Sequence, residues 1–208
     1  MPDSVPVLYL DSALIVVDKP AGLLAVPGRG AYLQDCAAAH VQARFADAKV
    51  VHRLDLATSG LMVFARGLVA QRELSRAFEE RRVAKRYVAI VAGRVVGDEG
   101  CIDLPLAGDW PNRPRQQVDH THGKAAQTRW RVLSCDAGQG TSRLELEPVT
   151  GRSHQLRVHL LAIGHPIVGD TLYAPQHAAP RLMLHACGLT IPHPTDARPM
   201  DFSSPAPF

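Results

Sequence analysis

Apolar runs along the chain predict a protein built mainly from short β-strands. Residues 7–10 and 14–17 are two apolar runs around a short polar turn, which predicts a hairpin. Residues 61–65 form a continuous apolar run of strand length. Residues 84–92 alternate and carry Tyr87 on one face. Further strands are predicted at residues 101–104, 125–133, 142–147 and 182–191, the last followed by a proline-rich tail.

Three other stretches have the composition or the period of an α-helix. Residues 32–46 are rich in alanine and predict one helix. In residues 67–82 the apolar positions share one helical face, at Ala70, Leu74, Ala77 and Phe78. A third helix is predicted between Ser153, as N-cap, and Gly164, as terminator. Because strands outnumber helices without regular alternation, the pattern predicts an α+β fold with a largely antiparallel sheet.

Composition narrows the class of protein without identifying it. The chain has 208 residues, of which 46% are apolar, enough for one large domain or two small ones. Its net charge of +3 supports nucleic-acid binding only weakly. Neither a membrane span nor a secretory signal is predicted. The four cysteines form no CxxC pair, which excludes a zinc ribbon and favours reduced thiols in the cytoplasm.

Several common kinds of active site lack their sequence signatures. The ten histidines form no HExxH or paired His/Cys pattern, so no metal site is predicted. The glycine-rich residues 22–30 match neither a Walker loop nor GxGxxG. Ser59 precedes a glycine but lacks the GxSxG elbow of a serine nucleophile. The candidates for chemistry that remain are carboxylates, tyrosine and arginine.

Asp55 is the leading carboxylate, because it lies in a polar turn between two apolar runs, two residues after Arg53. A loop between strands can present such a group at the edge of a cleft. The alternative is a structural aspartate that accepts hydrogen bonds from its own turn. Tyr87, Arg152 and Arg157 have similar alternatives, as a half-buried strand aromatic and as solvent-paired arginines. The residues alone leave these alternatives open.

Basic residues are concentrated in two parts of the chain. Residues 81–86 contain four of them. The second group consists of Arg113, Arg115, Lys124, Arg129 and Arg131. These side chains could follow a phosphate backbone. For residues 81–86, a solvated face at the end of a helix, where cations suit the helix dipole, explains the charges equally well.

A series of motifs covers residues 7–190. They are DKPAG at 18–22, VHRLDLATSG at 51–60, KRY at 85–87, GKAAQT at 123–128, PVTGRSHQLRVH at 148–159, GHPIVGD at 164–170 and LMLHA at 182–186. In this order the motifs resemble those of the RluA-type pseudouridine synthases. The segment DWPNRP at 109–114 is most similar to the dual-specificity members, which act on large-subunit (23S) rRNA and on tRNA.

The resemblance implies a fold and a domain organisation. Members have a mixed, mainly antiparallel sheet bent into two halves, with a central catalytic cleft between them. Many also carry an N-terminal S4 RNA-binding domain. For this chain the resemblance implies a single catalytic domain over residues 1–208, without an S4 domain, acting as a monomer on RNA.

The resemblance also implies roles for individual residues. Asp55 matches the catalytic aspartate, Tyr87 the tyrosine placed against the target nucleotide, and Arg157 the arginine that pairs with the aspartate. Arg53 matches an arginine that enters the space left by the flipped base. Further RNA-binding residues are expected at His52, Arg113, Arg115, Lys124 and Arg152. The reaction breaks the C1′–N1 bond of uridine and joins C5 to C1′, with no cofactor.

Two questions about chemistry and function stay open. Asp55 could attack the sugar or the base as a nucleophile, or act as a base that starts elimination across C1′–C2′. A catalytically silent RNA-binding or ribosome-assembly protein of the same fold is an alternative to an enzyme. A hydrolase is a third interpretation, but it needs a second carboxylate, and the sequence offers no paired acid.

Overall fold

The computed structural model describes residues 5–208, which divide into two compact units. The first unit contains the chain up to Lys85 together with Ala186–Pro207. The second unit contains Arg86–His185 and Phe208. The first unit is therefore built from two separate parts of the chain, and the second from one long stretch together with Phe208. None of the helices within residues 5–208 is long and apolar enough to cross a membrane.

Short strands dominate residues 5–208, with three α-helices among them. The strands are β1 (Val7–Leu10), β2 (Leu14–Lys19), β3 (Ala48–Val50), β4 (Ser59–Arg66), β5 (Ala84–Ala92), β6 (Glu99–Asp103), β7 (Leu106–Gly108), β8 (Gln116–Val118), β9 (Gln127–Asp136), β10 (Thr141–Pro148), β11 (Leu184–Pro192) and β12 (Pro199–Ser203). The α-helices are α1 (Ala37–Arg44), α2 (Gly67–Glu79) and α3 (Gln155–Ala162). The predicted α+β class is confirmed.

The first unit packs α2 against a sheet whose strands lie in the order β1, β2, β4, β11. β3 pairs with β4 and β12 with β11, and the β1–β2, β2–β4, β3–β4 and β11–β12 pairs are antiparallel. The predicted hairpin is thus β1–β2. The apolar face of α2, including Ala70, Leu74 and Ala77, is buried in one core with Leu61 and Val63 of β4. The spacing of apolar residues in 67–82 therefore predicted the buried face of the helix correctly.

The second unit contains the antiparallel strands β5, β10, β9 and β6, in that order, together with the hairpin β7–β8. α3 lies against β8, β9 and β10. A small core joins Leu106 of β7 to Val158 of α3 and to Tyr173. The predicted strand at residues 84–92 and the predicted β9–β10 pair are confirmed.

The predicted starts of two helices are wrong. Within residues 32–46 the helix α1 begins only at Ala37, where the Cys36 thiol caps it by accepting the Ala39 N–H at 3.4 Å. Ser153 is not the N-cap of α3. His154 holds that position with a left-handed φ of 53° and makes no side-chain cap.

The strands β3, β7, β8 and β12 were absent from the sequence prediction. The proline-rich tail contains β12, which pairs with β11 from Gly188 to Pro192. Residues 93–122, predicted as loops with one short strand, contain the hairpin β7–β8 in addition to β6. Strands of three residues, as in β7 and β8, are too short to show a period in the sequence.

Candidate active site

The loop between β3 and β4 carries Asp55. The Thr58 N–H donates to the Asp55 carbonyl oxygen at 3.1 Å and closes a turn beneath the carboxylate. Asp55 is half-buried, Arg53 is exposed, and Leu54 between them is buried. Burial of Leu54 anchors the loop. Because successive side chains point in opposite directions, its neighbours Arg53 and Asp55 lie at the surface. The turn therefore ends at Thr58, and Ser59, which was predicted as part of it, already begins β4.

Lys19 supports this loop from the end of β2. Its side chain is completely buried, and its Nζ donates to the carbonyl oxygens of Pro20 and Leu23 at 2.8 Å and of Leu56 at 3.3 Å. The Gly22 N–H donates to the same Leu56 oxygen at 2.9 Å. The residue after Asp55 is thus fixed by two donors. Sequence reasoning treated Lys19 only as part of a motif and missed this role.

His52 attaches the start of the loop to β4 and α2. Its Nε2 accepts the Val63 N–H at 3.0 Å, and its ring stacks on Phe78 with centroids 4.7 Å apart. An Nε2 that accepts a hydrogen bond carries no proton, so the ring is neutral. Burial, and then the charge of Lys85, lower the pKa of His52 to about 4. These contacts give His52 a structural role, and its expected RNA contact stays a prediction.

Tyr87 is held by the backbone of β5. It pairs with Leu146 of β10 in the antiparallel register and is half-buried. Two residues earlier, burial and then the charge of Arg81 lower the pKa of Lys85. The basic stretch 81–86 is therefore not a uniformly solvated face, because one of its cations is partly withdrawn from water.

Arg157 lies on α3 and is held by a carboxylate that the sequence analysis did not identify. Its Nε and Nη2 donate to Oδ2 and Oδ1 of Asp170, both at 2.7 Å. The side chains are only 8% and 1% exposed, so this forked ion pair is buried. Asp170 Oδ1 also accepts the Leu172 and Tyr173 N–H groups, both at 3.1 Å. The guanidinium is therefore held in one orientation by a carboxylate that is itself fixed.

Tyr173 connects Arg157 to two other segments. Its ring centroid lies 4.9 Å from Cζ of Arg157 and 5.3 Å from Cζ of Arg115. Its hydroxyl oxygen accepts the Gln116 N–H at 2.7 Å and lies 2.7 Å from Nδ1 of His154. One buried tyrosine thus contacts α3, the residue before α3 and the start of β8.

The remaining predicted RNA-binding residues lie on the surface of the second unit. Arg152, exposed beside α3, donates from Nε to the Ala125 carbonyl oxygen at 3.0 Å. Lys124 is exposed, and its backbone pairs with Leu106. Arg113 is exposed and stacks on Trp110. Within residues 5–208 no three His, Cys, Asp or Glu side chains are grouped as a metal site requires.

Comparison with known proteins identifies the kind of protein that carries this site. The sequence profile described as RNA pseudouridylate synthase matches residues 13–162, which is most of the chain. The chain belongs to the RNA pseudouridylate synthase family.

Individual RNA pseudouridylate synthases are similar over nearly the whole chain. The dual-specificity RNA pseudouridine synthase RluA of Yersinia pestis is 53% identical over 205 residues, which cover 97% of this chain and 99% of that protein. The protein of the same name from Escherichia coli K12 is 51% identical, over 97% of this chain and 93% of its own length. A pseudouridine synthase is an isomerase that acts on RNA, and this chain has that enzyme class.

Solved structures of other family members share the fold. The human RNA pseudouridylate synthase domain containing 1 superimposes with a TM-score of 0.82 at 30% identity, covering 98% of this chain and 84% of that one. The human RNA pseudouridylate synthase domain containing 4 gives a TM-score of 0.76 at 25% identity, covering 97% and 88%. The mainly antiparallel α+β fold implied by the sequence is therefore that of the family.

Within each unit the structure brings some predicted pseudouridine synthase residues together. His52, Arg53 and Asp55 share one anchored loop in the first unit. In the second unit Arg157 and Arg115 both lie against Tyr173. The grouping of Asp55 with Tyr87 and Arg157 around one uridine, and the cleft that would hold it, stay predictions.

Proposed function

We propose that this protein isomerises specific uridines to pseudouridine in two kinds of RNA, 23S rRNA and tRNA. The observation that carries the proposal is the 53% identity, over 97% of this chain and 99% of the relative, to a synthase named for dual specificity. The DWPNRP segment at 109–114 supports the same assignment. For tRNA, the expected target lies in the anticodon stem-loop, because unpaired loop bases are the usual targets of sequence-specific RNA recognition.

The proposed chemistry is an exchange of one bond to the sugar for another. The C1′–N1 bond of uridine breaks, the base turns, and C5 joins C1′. The hydrogen on C5 leaves as a proton, and N1 gains one, so nothing is oxidised or reduced. The reaction needs a group that assists departure and return of the base, and no cofactor. Asp55 is the proposed group, acting as nucleophile or as base.

Arg157 is the proposed partner of Asp55. Its fork to Asp170 holds the guanidinium through Nε and Nη2. Pairing with Arg157 would offset the cost of removing the Asp55 carboxylate from water when RNA covers it. Asp170 holds the Arg157 guanidinium in place, which supports this role, because a fixed guanidinium loses little conformational freedom when a second carboxylate binds. Tyr87 is proposed to lie against the target base, fixed by its strand.

The target nucleotide is proposed to leave its stack before reacting, since the base cannot turn to place C5 instead of N1 on C1′ within a stacked helix. Arg53 is exposed on the same loop as Asp55, which supports its proposed role as the residue that fills the gap. His52, Arg113, Arg115, Lys124 and Arg152 are proposed to contact RNA, and the exposed ones could pair with phosphates.

We further propose that residues 1–208 act as one catalytic domain, as a monomer in the cytoplasm. The family profile spans residues 13–162 and so includes parts of both compact units. This supports one catalytic domain made from two units. The mass of the native protein in solution, measured by light scattering, tests the monomer.

Loss of the carboxylate is the direct test of catalysis. Bulk rRNA and tRNA lacking pseudouridine are incubated with the wild type and with Asp55→Asn, and pseudouridine is mapped by sequencing. We expect modification of discrete sites in both RNAs by the wild type and none by the variant. Binding of both proteins to the RNA should be similar, because asparagine keeps the shape of the side chain.

Asp47→Asn is the matched control, since Asp47 is a partly exposed carboxylate of the same unit that pairs with Arg66. This variant should modify RNA as the wild type does. Unaltered activity of Asp55→Asn would refute the role of Asp55. A folded wild type that binds RNA without modifying it would instead favour the silent RNA-binding protein, and release of free uracil would favour a hydrolase.

A further inference from the structure

Trp110 is an aromatic residue with no place in the catalytic scheme. It lies in the loop of residues 109–115 that joins β7 to β8, here called the Trp110 loop, and is 72% exposed. The other tryptophan, Trp130, is half-buried and lies over Gly100. Large aromatic side chains are usually buried or at interfaces, because exposure of their apolar faces to water is unfavourable. An exposed indole on an ordered loop is accessible for a contact outside the chain.

One arginine stacks on this indole, and a second lies on the same loop. The Arg113 Cζ lies 3.4 Å from the ring centroid of Trp110, so the planar guanidinium is stacked on the indole. Arg115, on the same loop, has a buried Nε–H without an acceptor in the protein. The one carboxylate of the loop, Asp109, accepts from the Asn112 Nδ2 with both oxygens, at 3.1 and 3.0 Å. The loop thus presents a flat pair of indole and guanidinium, and it also holds a buried cationic donor without an acceptor.

The Trp110 loop is ordered by its own hydrogen bonds. The Asp109 N–H donates to the Arg115 carbonyl oxygen at 3.0 Å, across the base of the loop. The Asn112 N–H donates to Asp109 O at 3.1 Å, and the Arg115 N–H donates to Asn112 O at 3.0 Å. A ligand that stacks on Trp110 therefore does not have to order the loop first, which removes one cost of binding.

The loop is also tied to the candidate active site within its own unit. The Gln116 N–H, directly after the loop, donates to the Tyr173 hydroxyl at 2.7 Å. Tyr173 lies under the Arg157 guanidinium, 4.9 Å from its Cζ. Trp110 and Arg157 are therefore held in a fixed relation by one buried tyrosine. A group bound on Trp110 would be positioned relative to the arginine that is proposed to serve Asp55.

We propose that Trp110 and Arg113 form a stacking platform for an unpaired RNA base near the target uridine, and that Arg115 binds an adjacent phosphate. The inference rests on the proposed function, since the base belongs to the substrate RNA. Single-stranded bases stack on aromatic side chains and on arginine planes. Stacking needs no particular base, so the platform would fix the loop of the substrate without reading its sequence.

The test of binding uses the small number of tryptophans. Trp130→Phe leaves Trp110 as the only indole, and its fluorescence is followed while a tRNA stem-loop is added. We expect quenching that saturates with the binding curve measured from the anisotropy of labelled RNA. A fully paired duplex of equal length should bind more weakly and quench little. Binding of the stem-loop without any change in Trp110 fluorescence would overturn the platform.

The test of function compares substitutions at Trp110. Trp110→Ala should raise KM for the stem-loop about 5- to 150-fold with kcat nearly unchanged, the range that loss of one stacked base gives at about 1.4 kcal/mol per tenfold. Trp110→Phe should restore most of the affinity. The control is Val96→Ala, which removes another exposed apolar side chain of the same unit.

The outcomes separate this inference from the proposed function. A wild type that forms pseudouridine while Trp110→Ala has an unchanged KM refutes the platform alone. A wild type that forms no pseudouridine refutes the proposed function, and the fluorescence titration then still decides whether RNA stacks on Trp110. An equal rise in KM for Val96→Ala and Trp110→Ala would also count against the platform. It would indicate a general effect of removing exposed apolar surface rather than the loss of stacking.

Discussion

His52 lies directly before Arg53 and Asp55 in the chain, yet its imidazole is a neutral structural group. Its Nε2 accepts a backbone N–H from β4, so protonation would remove that acceptor and place a charge against Phe78 and near Lys85. The sequence could not predict this role, because the Val63 N–H that His52 accepts lies on a separate element, β4. The RNA contact proposed for His52 would have to be made by a neutral ring.

The neutral state of His52 predicts a pH dependence of stability. Its pKa is about 4 in the folded protein and about 6.5 in an unfolded chain, so the unfolded state binds more protons between these values. This group should therefore remove about 3 kcal/mol of stability as the pH falls from 7 to 4. In urea titrations at both pH values, His52→Gln should show a smaller loss than the wild type, by about that amount.

The exposed His120 supplies the control, because His120→Gln should keep the full loss of the wild type between pH 7 and pH 4. If His52→Gln and the wild type lose equal stability over this range, His52 is not held neutral by its contacts.

Asp170 is expected to contribute to stability through Arg157. Asp170→Asn leaves a buried guanidinium without its counter-charge, and breaking one side of a buried pair costs about 3–5 kcal/mol. The free energy of unfolding in urea measures this loss. In the more exposed pair of Arg66 and Asp47, Asp47→Asn should cost only about 0–1 kcal/mol. Similar losses in the two variants would show that Asp170 does not hold a desolvated charge.

At the scale of elements, the start of β4 explains why a glycine follows the catalytic turn. Gly60 has a φ of 113°, and a Cβ built there lies 2.3 Å from the Ala186 carbonyl oxygen of β11. No side chain fits between the two strands at this point. The Asp55 turn is therefore followed at once by close contact of two backbones, which fixes where the loop can leave the sheet.

Gly60→Ala should consequently be among the most damaging small substitutions in the chain. The backbone conformation costs about 1–3 kcal/mol for a non-glycine residue, and the collision with β11 adds about 1–3 kcal/mol. Gly140→Ala is matched to it, because Gly140 also has a positive φ, of 62°, but open space around its Cβ. Chemical denaturation should show a clearly larger loss for Gly60→Ala, and equal losses would exclude the collision.

Elements with a clear period were predictable, and elements defined by pairing were not. The helix over residues 67–82 follows from its one buried face, and the strand Ala84–Ala92 from an apolar run whose second half is buried on both faces. β12 alternates in burial but pairs only with β11, and its prolines argue against a strand in the sequence. The left-handed His154 before α3 has no signature, because its conformation depends on the surrounding loop.

At the scale of the whole molecule, the candidate site has a part that sequence could predict and a part that it could not. Asp55, Tyr87 and Arg157 were found through the family resemblance. Asp170 lies in the recognised GHPIVGD motif, but nothing in the sequence states that its carboxylate faces Arg157. Tyr173 meets the Gln116 N–H across 57 residues of chain, a contact that no local pattern encodes. Supporting contacts of this kind require the fold.

Each compact unit contains a buried apolar cluster, which predicts local rather than global effects of substitutions within it. Leu189 in the first unit and Leu106 in the second are each 3% exposed, and replacing either by alanine should cost about 2–5 kcal/mol. In native-state hydrogen exchange, Leu189→Ala should speed exchange in β2 and β4, and Leu106→Ala in β8 and α3. Each substitution is the control for the other, because residue type and burial are the same. Uniform acceleration over residues 5–208 by both variants would show that the chain opens only as one cooperative structure.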